Sequence, residues 1–261
     1  MHRGYWEAMA ARWSDEVFDT YREDRNGTLL EVIRSESGSG RTLVDFGCGI
    51  GTAIPSFASA FGEVIGLDRA VACVRKARAA TAHLGNVRID HTSPSTLRRL
   101  NERADVTLAV QVAIDPRRRA RAAVFSKALS LTKKGGTVVF VVPSLESLVL
   151  VDALRRALGR KWRLPFSFPV AKRLTEPGVV TLGGEPTKHF VGEELVAVFR
   201  MLGCETIDLR RVAFSWSIYG VRPPDAVGTV TPWDWLVVAR RRARKVARRA
   251  TPISSRRSSG T

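Results

Sequence analysis

Apolar positions along the chain follow two periods. Leu43, Val44 and Phe46, then Val64–Leu67, Ala104–Val112 and Thr137–Val142, form short, nearly continuous apolar runs, the pattern of strands buried on both faces. Asn86–Asp90 reads as a further strand, and Cys204–Phe214 and Trp233–Ala239 as a closing antiparallel pair. Between the runs, apolar residues recur every three or four positions, which predicts helices over Ala53–Phe61, Val71–His83, Arg117–Leu131, Leu145–Leu158 and Gly192–Leu202. Gly203 supplies a helix stop, and Gly135-Gly136 a turn into the fifth strand. Ahead of the first strand, Trp6, Met9, Trp13, Val17 and Tyr21 predict an amphipathic helix over Gly4–Tyr21. A short helix over Asn26–Ser35 and a flexible joint at Ser37–Gly40 follow. Gly159–Lys188 breaks every period with eight prolines and glycines and also holds Trp162, Phe166 and Phe168. Alternating strands and helices imply an α/β fold, a parallel sheet with helices on both faces.

A length of 261 residues suits one such domain with additions. The early charges Glu7, Arg12 and Asp15 are unlike a signal peptide, and the longest apolar runs are far too short to span a bilayer. Cys48, Cys73 and Cys204 lack metal or disulfide spacing and read as free thiols in a reducing cytoplasm, so a cytoplasmic location is expected. The four histidines are scattered, and no metal site is expected.

The formal charge of +17 invites a nucleic-acid reading. Nine of the basic residues lie between Arg240 and Thr261 with no acid among them, which leaves +8 (17 − 9) on Met1–Ala239. Arginine supplies 34 of the 42 basic residues, a bias that GC-rich bacterial coding produces without functional meaning. Residues 241–261 read as a disordered basic tail, of which Val246–Thr261 is expected to be dispensable for folding and cofactor binding. Their one helical face is mostly alanine and would bind membranes weakly.

The chemistry concentrates in Leu43-Val44-Asp45-Phe46-Gly47-Cys48-Gly49-Ile50-Gly51-Thr52. An apolar strand runs into three alternate glycines and then a helix, so backbone N–H groups face a ligand that can approach closely. A dinucleotide fingerprint would place its third glycine one residue later, where Thr52 stands. Asp45 precedes the first glycine by two residues, and a second strand, Val64–Asp68, ends in an acid 17 residues after Gly51 (68 − 51).

This combination resembles motif I and the ribose-binding acid of the class I S-adenosylmethionine-dependent methyltransferases. The resemblance spans roughly Gly4–Arg240 and implies a Rossmann-like, doubly wound, seven-stranded sheet in the order 3-2-1-4-5-7-6 with strand seven antiparallel. It implies S-adenosylmethionine as cofactor, held by Asp45, Gly47, Cys48, Gly49 and Gly51. Asp68 would take both ribose hydroxyls, with Arg69 beside it. Ser93 stands nearest the place where the family often carries an adenine-binding acid, and Gln111 ends the fourth strand at the sheet's ligand edge. Residues 1–40 would form an N-terminal helical lid bringing Trp6, Trp13 and Tyr21 to the substrate pocket; an ordinary packed helix is the other reading. Residues 160–190, with Trp162, Phe166 and Phe168, would form a substrate cap within a domain spanning 41–240, or else a surface excursion.

Methyl transfer from a sulfonium needs alignment and exclusion of water, and for some acceptors a base. His189 is the first candidate base, set against a structural role at a helix entry; Asp115 and His91 are the others. No N-P-P-Y or D-P-P-Y motif follows the fourth strand, which argues against methylation of base amino groups. The expected function is methyl transfer to a small molecule. The alternatives are a nucleic-acid-modifying methyltransferase and a non-catalytic cofactor-binding protein. The acceptor and the oligomeric state are not readable from the chain.

Overall fold

The computed structural model describes residues 3–13, 17–157, 176–182, 185–219 and 228–243. In chain order the main elements are helix α1 (Arg3–Met9), a 3-10 turn (Ala10–Arg12), α2 (Thr20–Glu23), α3 (Thr28–Ser35), strand β1 (Gly38–Phe46), α4 (Ile54–Ala58), β2 (Phe61–Asp68), α5 (Val71–Thr81), β3 (Val87–His91) and α6 (Pro94–Arg99). The second half holds β4 (Ala104–Val110), α7 (Arg118–Leu131), β5 (Thr132–Pro143), α8 (Leu145–Ala157), β6 (Val179–Leu182), β7 (Glu185–Lys188), α9 (Gly192–Met201), β8 (Cys204–Ala213) and β9 (Trp233–Arg241).

Among the described residues, seven strands form one sheet in the order β3-β2-β1-β4-β5-β9-β8, while β6 and β7 pair as a separate antiparallel hairpin. The first five are parallel neighbours; β9 runs antiparallel to both β5 and β8. With the hairpin set aside, this is the 3-2-1-4-5-7-6 order with an antiparallel seventh strand, a Rossmann-like α/β fold. The strand order reverses between β1 and β4, the place where open α/β sheets bind ligands.

Strand side chains alternate between two cores, as a period of two requires. Val44 and Phe46 pack with Phe125 of α7 and Phe199 of α9 on one face. Leu43 packs with Leu29 and Ile33 of α3 and Ile54 and Phe57 of α4 on the other. Phe125, Phe140, Phe190 and Phe199 interlock, with ring centroids 5.0–6.1 Å apart. Large rings buried in this way are the dominant apolar contribution, and removing one typically costs about 3–5 kcal/mol.

Several boundaries differ from the sequence expectation. The single helix over Gly4–Tyr21 is absent: α1 ends at Met9, a 3-10 turn follows, and α2 begins only at Thr20. Asp19 stops any continuation by acting as N-cap, accepting from the Tyr21 and Arg22 N–H groups. Gly38–Gly40 belongs to β1 and is no loose joint. Phe61 opens β2 instead of closing the preceding helix, and the Asn86 side chain, just ahead of β3, donates to the Ala58 and Phe61 carbonyls and holds that corner. Gly135-Gly136 lies within β5, where the ladder to β4 shifts register between Ala104 and Val106. The hairpin β6–β7 was not legible in a segment full of proline and glycine.

Candidate functional site

The glycine turn follows β1 and is tied to β2. The Gly47 and Cys48 N–H groups both donate to the Leu67 carbonyl, at 2.7 and 3.0 Å. Gly47, Gly49 and Gly51 all have positive φ, 95°, 57° and 81°. At Gly49 glycine is also needed for space: a Cβ there would lie 2.3 Å from the Trp13 indole. Asp68 closes the loop from the other side. Its Oδ2 accepts from the Gly49 N–H at 3.0 Å and its Oδ1 from the Ala70 N–H at 2.8 Å. One carboxylate thus sets the turn and starts α5, and each oxygen keeps acceptor capacity for ligand hydroxyls. Burial pushes Asp68 above the usual carboxylate range, and those backbone bonds oppose the rise.

Beside the turn lies a cavity of about 380 Å³. Its floor is Asp45, Phe46, Gly47, Cys48, Thr52, Ala53, Asp68, Arg69 and Cys73. Asp45 is 5% exposed, and among the described residues no hydrogen bond reaches its carboxyl oxygens. Burial first, and the Asp68 charge second, raise its pKa to about 7. Burial also raises the Cys48 thiol, so it stays protonated and unreactive.

The roof is the N-terminal segment: Trp6, Trp13, Val17, Phe18, Asp19, Thr20 and Tyr21 all line the cavity. Its attachment is specific. Both oxygens of Glu7 accept from the first free N–H groups of α5, Val71 and Ala72, at 2.8 Å each. Helix α5 has no side-chain cap of its own, since Ala70 occupies the N-cap position, so Glu7 caps it across 64 residues of sequence. The Trp6 and Trp13 rings sit 6.0 Å apart, and the Cys73 thiol meets the Trp6 carbonyl. Phe18 packs edge-on against Phe214, and the Arg25 N–H donates to the Ala213 carbonyl.

The far wall comes from the carboxyl end of β4 and from α7: Val110, Gln111, Val112, Ile114, Asp115, Ala120, Ala123, Val124 and Lys127. Gln111 has φ 57°, rare for a residue with a Cβ and the kind of strain found at functional sites. Its backbone N–H bonds the Val141 carbonyl at 2.9 Å, and its side-chain amide donates to Asp234 of β9. Burial raises Asp234 to about 7 against the pull of that bond. Asp115 is the opposite case. Arg117 donates to it from the guanidinium and from the backbone, and holds it at about 2.

The structure therefore brings Asp45, Gly47, Cys48, Asp68, Arg69, Gln111, Trp6, Trp13 and Tyr21 to one cavity. Gly49 adjoins it beneath Trp13, and Gly51 backs onto Ala77 of α5. Ser93 is displaced from the expected role: its hydroxyl accepts from the Thr96 N–H as N-cap of α6, and its neighbour Thr92 lines the cavity. His189 is not among the lining residues. It is 4% exposed, its Nδ1 pairs with the Thr187 carbonyl at 3.2 Å, and burial lowers its pKa to about 4. His91 bonds the Arg69 carbonyl through Nε2 and also lies off the cavity. Trp162, Phe166 and Phe168, most of the proposed cap and the tail beyond residue 243 lie outside the described residues. Among the described residues no group of three or more His, Cys, Asp or Glu could hold a metal ion, and no helix is long and apolar enough to cross a membrane.

Sequence reasoning missed Thr92, Thr20, Phe18 and the Glu7 cap. The missing N-cap at Ala70 was the one available signal for Glu7, because an α5 start without Ser, Thr, Asp or Asn leaves donors that need a partner.

Residues 43–136 match the family model described as a methyltransferase domain. No characterised protein sequence matches the chain significantly. Among solved structures, an S-adenosylmethionine-dependent methyltransferase from Methanosarcina mazei is 17% identical with a TM-score of 0.60, covering 81% of this chain and 97% of its own. Magnesium protoporphyrin IX methyltransferase from Synechocystis, solved with S-adenosylhomocysteine, is 16% identical at TM-score 0.60 and covers 92% and 97%. The Burkholderia thailandensis 1,6-didemethyltoxoflavin N1-methyltransferase, solved with its substrate and S-adenosylhomocysteine, is 14% identical at TM-score 0.58 and covers 92% and 87%. Residues 43–136, which hold the glycine turn and the strand-ending Asp68 within a sheet of the 3-2-1-4-5-7-6 order, thus match a methyltransferase domain.

Proposed function

We propose that the chain transfers the methyl group of S-adenosylmethionine to a small-molecule acceptor, with residues 1–40 serving as a cover. The observation that carries the reading is the roofed cavity: its volume of about 380 Å³ falls at the low end of small-ligand sites, roughly 300–1,000 Å³. That is space on the scale of one small ligand such as the donor, beneath a roof that includes Trp6, Trp13 and Tyr21. The residues present fit the donor. Asp68 offers acceptor sites beside a close-approach turn, and Tyr21 and Thr20 carry buried polar atoms without protein partners. Three lining carboxylates, Asp19, Asp45 and Asp68, suit a cationic ligand, since Asp115 is already matched by Arg117.

When bound, the donor supplies an electrophilic methyl on a good leaving group. The chain then contributes alignment and dryness. Asp68 fixes the ribose end, the aromatic roof excludes water, and Gln111, held by Asp234, lies on the wall nearest the sheet's switch point. Asp115 at about 2 is a weak base near neutrality, and His189 sits off the cavity. The reading therefore favours an acceptor that is already nucleophilic at neutral pH. The structurally similar toxoflavin-precursor and magnesium-porphyrin enzymes act on small molecules, which supports the same class here.

The test is incubation with methyl-labelled donor and fractionated cell extract. Label in small organic compounds is expected. Label in polynucleotide overturns the acceptor class, and tight donor binding with no label transferred anywhere overturns the catalytic reading.

A further inference from the structure

The fourth strand ends on a residue that the fold alone does not call for. Gln111 holds φ at 57°, a conformation that glycine adopts freely and that strains a residue with a Cβ. Its backbone N–H meets the Val141 carbonyl at 2.9 Å, so glycine would keep that bond and remove the strain. What glycine would lose is the side chain, which lines the cavity and donates through Nε2 to Asp234 Oδ2. Asp234 is unfavourable in its turn. It shares the face of β9 that carries Leu236 and Val238, where an apolar side chain would continue the core. Burial there pushes its carboxyl up to about 7.

Asp234 is anchored as well as placed. The Ser144 backbone N–H donates to it at the entry to α8. Ser144 Oγ accepts from the Ser147 N–H at 3.0 Å and donates to Glu146 at 3.2 Å, and Ser147 Oγ accepts from the Trp233 N–H at 2.8 Å. Glu146 also accepts from the Gly192 N–H at 2.8 Å and from Trp235 Nε1 at 3.0 Å. The starts of α8, α9 and β9 are thereby bonded together around one carboxyl group. The charges nearby are engaged elsewhere. Glu146 makes the bonds just given, and Arg211 of β8 stacks 4.1 Å from the Trp233 ring and 5.8 Å from Trp235, on the opposite face of β9. The cavity itself carries Asp19, Asp45, Asp68, Arg69 and Lys127, and Arg117 holds Asp115. Burial, Gln111 and Ser144 are what set the proton on Asp234. An ionised carboxylate only accepts, so it fixes which way the Gln111 amide faces: Nε2 toward Asp234 and Oε1 away from it. Oε1 is then the acceptor that this residue offers to the cavity.

We propose that Gln111 orients the methyl acceptor, its Oε1 taking an N–H or O–H at or next to the atom to be methylated, and that Asp234 is the positioning residue that keeps Oε1 presented. The proposal rests on the small-molecule reading given above and narrows its substrate class to acceptors that carry such an N–H or O–H. Gln111 takes up no proton and no electron pair. It sets the line along which the acceptor's lone pair meets the methyl carbon. The selection depends on an ionised Asp234. Once protonated, the carboxyl can donate to Oε1, the amide turns over, and an N–H replaces the oxygen on the wall. Presentation of Oε1 therefore grows as pH rises through about 7.

The experiment uses the full chain, methyl-labelled donor and the small-molecule fraction of cell extract as the acceptor pool. It compares the native protein with Gln111→Gly and Asp234→Asn, each confirmed as folded by circular dichroism. Asparagine keeps the shape of aspartate but can face the amide either way, so it removes the selection alone. Both variants are expected to bind S-adenosylhomocysteine within about twofold of the native chain. Initial rates over a dilution series of the pool are expected to show kcat/KM lowered about threefold to tenfold in Asp234→Asn and about tenfold in Gln111→Gly, the scale of one hydrogen bond. The Asp234→Asn deficit is expected in full above about pH 8 and to vanish below about pH 6, where the native carboxyl is protonated too. In nitrogen-15 spectra of the S-adenosylhomocysteine complex, the Gln111 side-chain amide, identified by its loss in Gln111→Gly, is expected to titrate near pH 7 and to stay still in Asp234→Asn. Native kcat/KM in either variant overturns the proposal, as does an amide that does not titrate or a labelled product whose parent has no N–H or O–H at or next to the methylated atom. Weakened S-adenosylhomocysteine binding in the variants also overturns it, by placing the amide on the donor. Absence of label transfer by the native chain overturns the methyl-transfer reading itself, and is told apart from failure of the pair because the amide titration is read without an acceptor.

Discussion

Replacing Gly49 with alanine puts a methyl group where the Trp13 indole now lies. The new Cβ would stand 2.3 Å from both Cη2 and Cζ2 of that ring, so one partner must move. The backbone of the turn is held by the Asp68 bond to the Gly49 N–H and by the Leu67 bonds to Gly47 and Cys48. Trp13 is the freer partner, and the Trp6 ring 6.0 Å away would lose its neighbour with it. Displacing half of an indole's buried area, roughly 100 Å², costs about 2.5 kcal/mol at 25 cal/mol per Å². Holding alanine at φ 57° adds about 1–2 kcal/mol. Urea unfolding should therefore show Gly49→Ala destabilised by about 3–5 kcal/mol, with a red-shifted tryptophan emission. In a Trp13→Ala background the clash is gone, and the same substitution should cost only the backbone share, about 1–2 kcal/mol. An equal cost in both backgrounds would refute the placement of Trp13 on the turn.

Further outcomes follow from the same contacts. Glu7→Ala should lower stability by about 1–2 kcal/mol through the lost α5 cap and make the N-terminal segment more open to proteolysis; a Glu7→Ala protein as resistant as the native one argues against the clasp. Asp45 carries a folded pKa raised above its unfolded value, so the folded state holds the extra proton and stability falls as pH rises from about 3.8 through about 7. Asp45→Asn should therefore gain on the order of 2–4 kcal/mol at pH 8 and almost nothing at pH 4, read from melting curves across that range. His189 has the opposite sign: its pKa, lowered to about 4, removes stability as pH falls from 6.5 toward 4. His189→Gln should blunt that acid sensitivity and leave S-adenosylhomocysteine affinity unchanged; a large loss of affinity would place the ring at the site after all.

The sheet was legible because its parallel strands are buried on both faces and so read as unbroken apolar runs, Val138–Val142 being the clearest. The glycine turn was legible because three positive-φ positions demand glycine within five residues, and because Asp68 must end a strand to reach them. What stayed hidden depends on contacts between distant segments. The N-terminal helix was overestimated, since the spacing of Trp6, Trp13 and Tyr21 records a shared roof contacted by separate short elements. His189 looked available from its place before α9, yet the β6–β7 hairpin, invisible to periodicity, buries it against the Thr187 carbonyl. Ser93 and Thr92 differ by a single residue, and the N-cap geometry of α6 decides which one reaches the cavity.

The central claim is that Asp68 and the Gly47–Gly51 turn hold the methyl donor, and titration calorimetry of S-adenosylhomocysteine tests it most directly. The native chain should bind, and Asp68→Ala, confirmed as folded by circular dichroism, should bind more weakly by roughly 1.5–3 kcal/mol, or about tenfold to more than a hundredfold. Equal affinity in the two proteins, or tighter binding of NAD than of S-adenosylhomocysteine by the native chain, would contradict it.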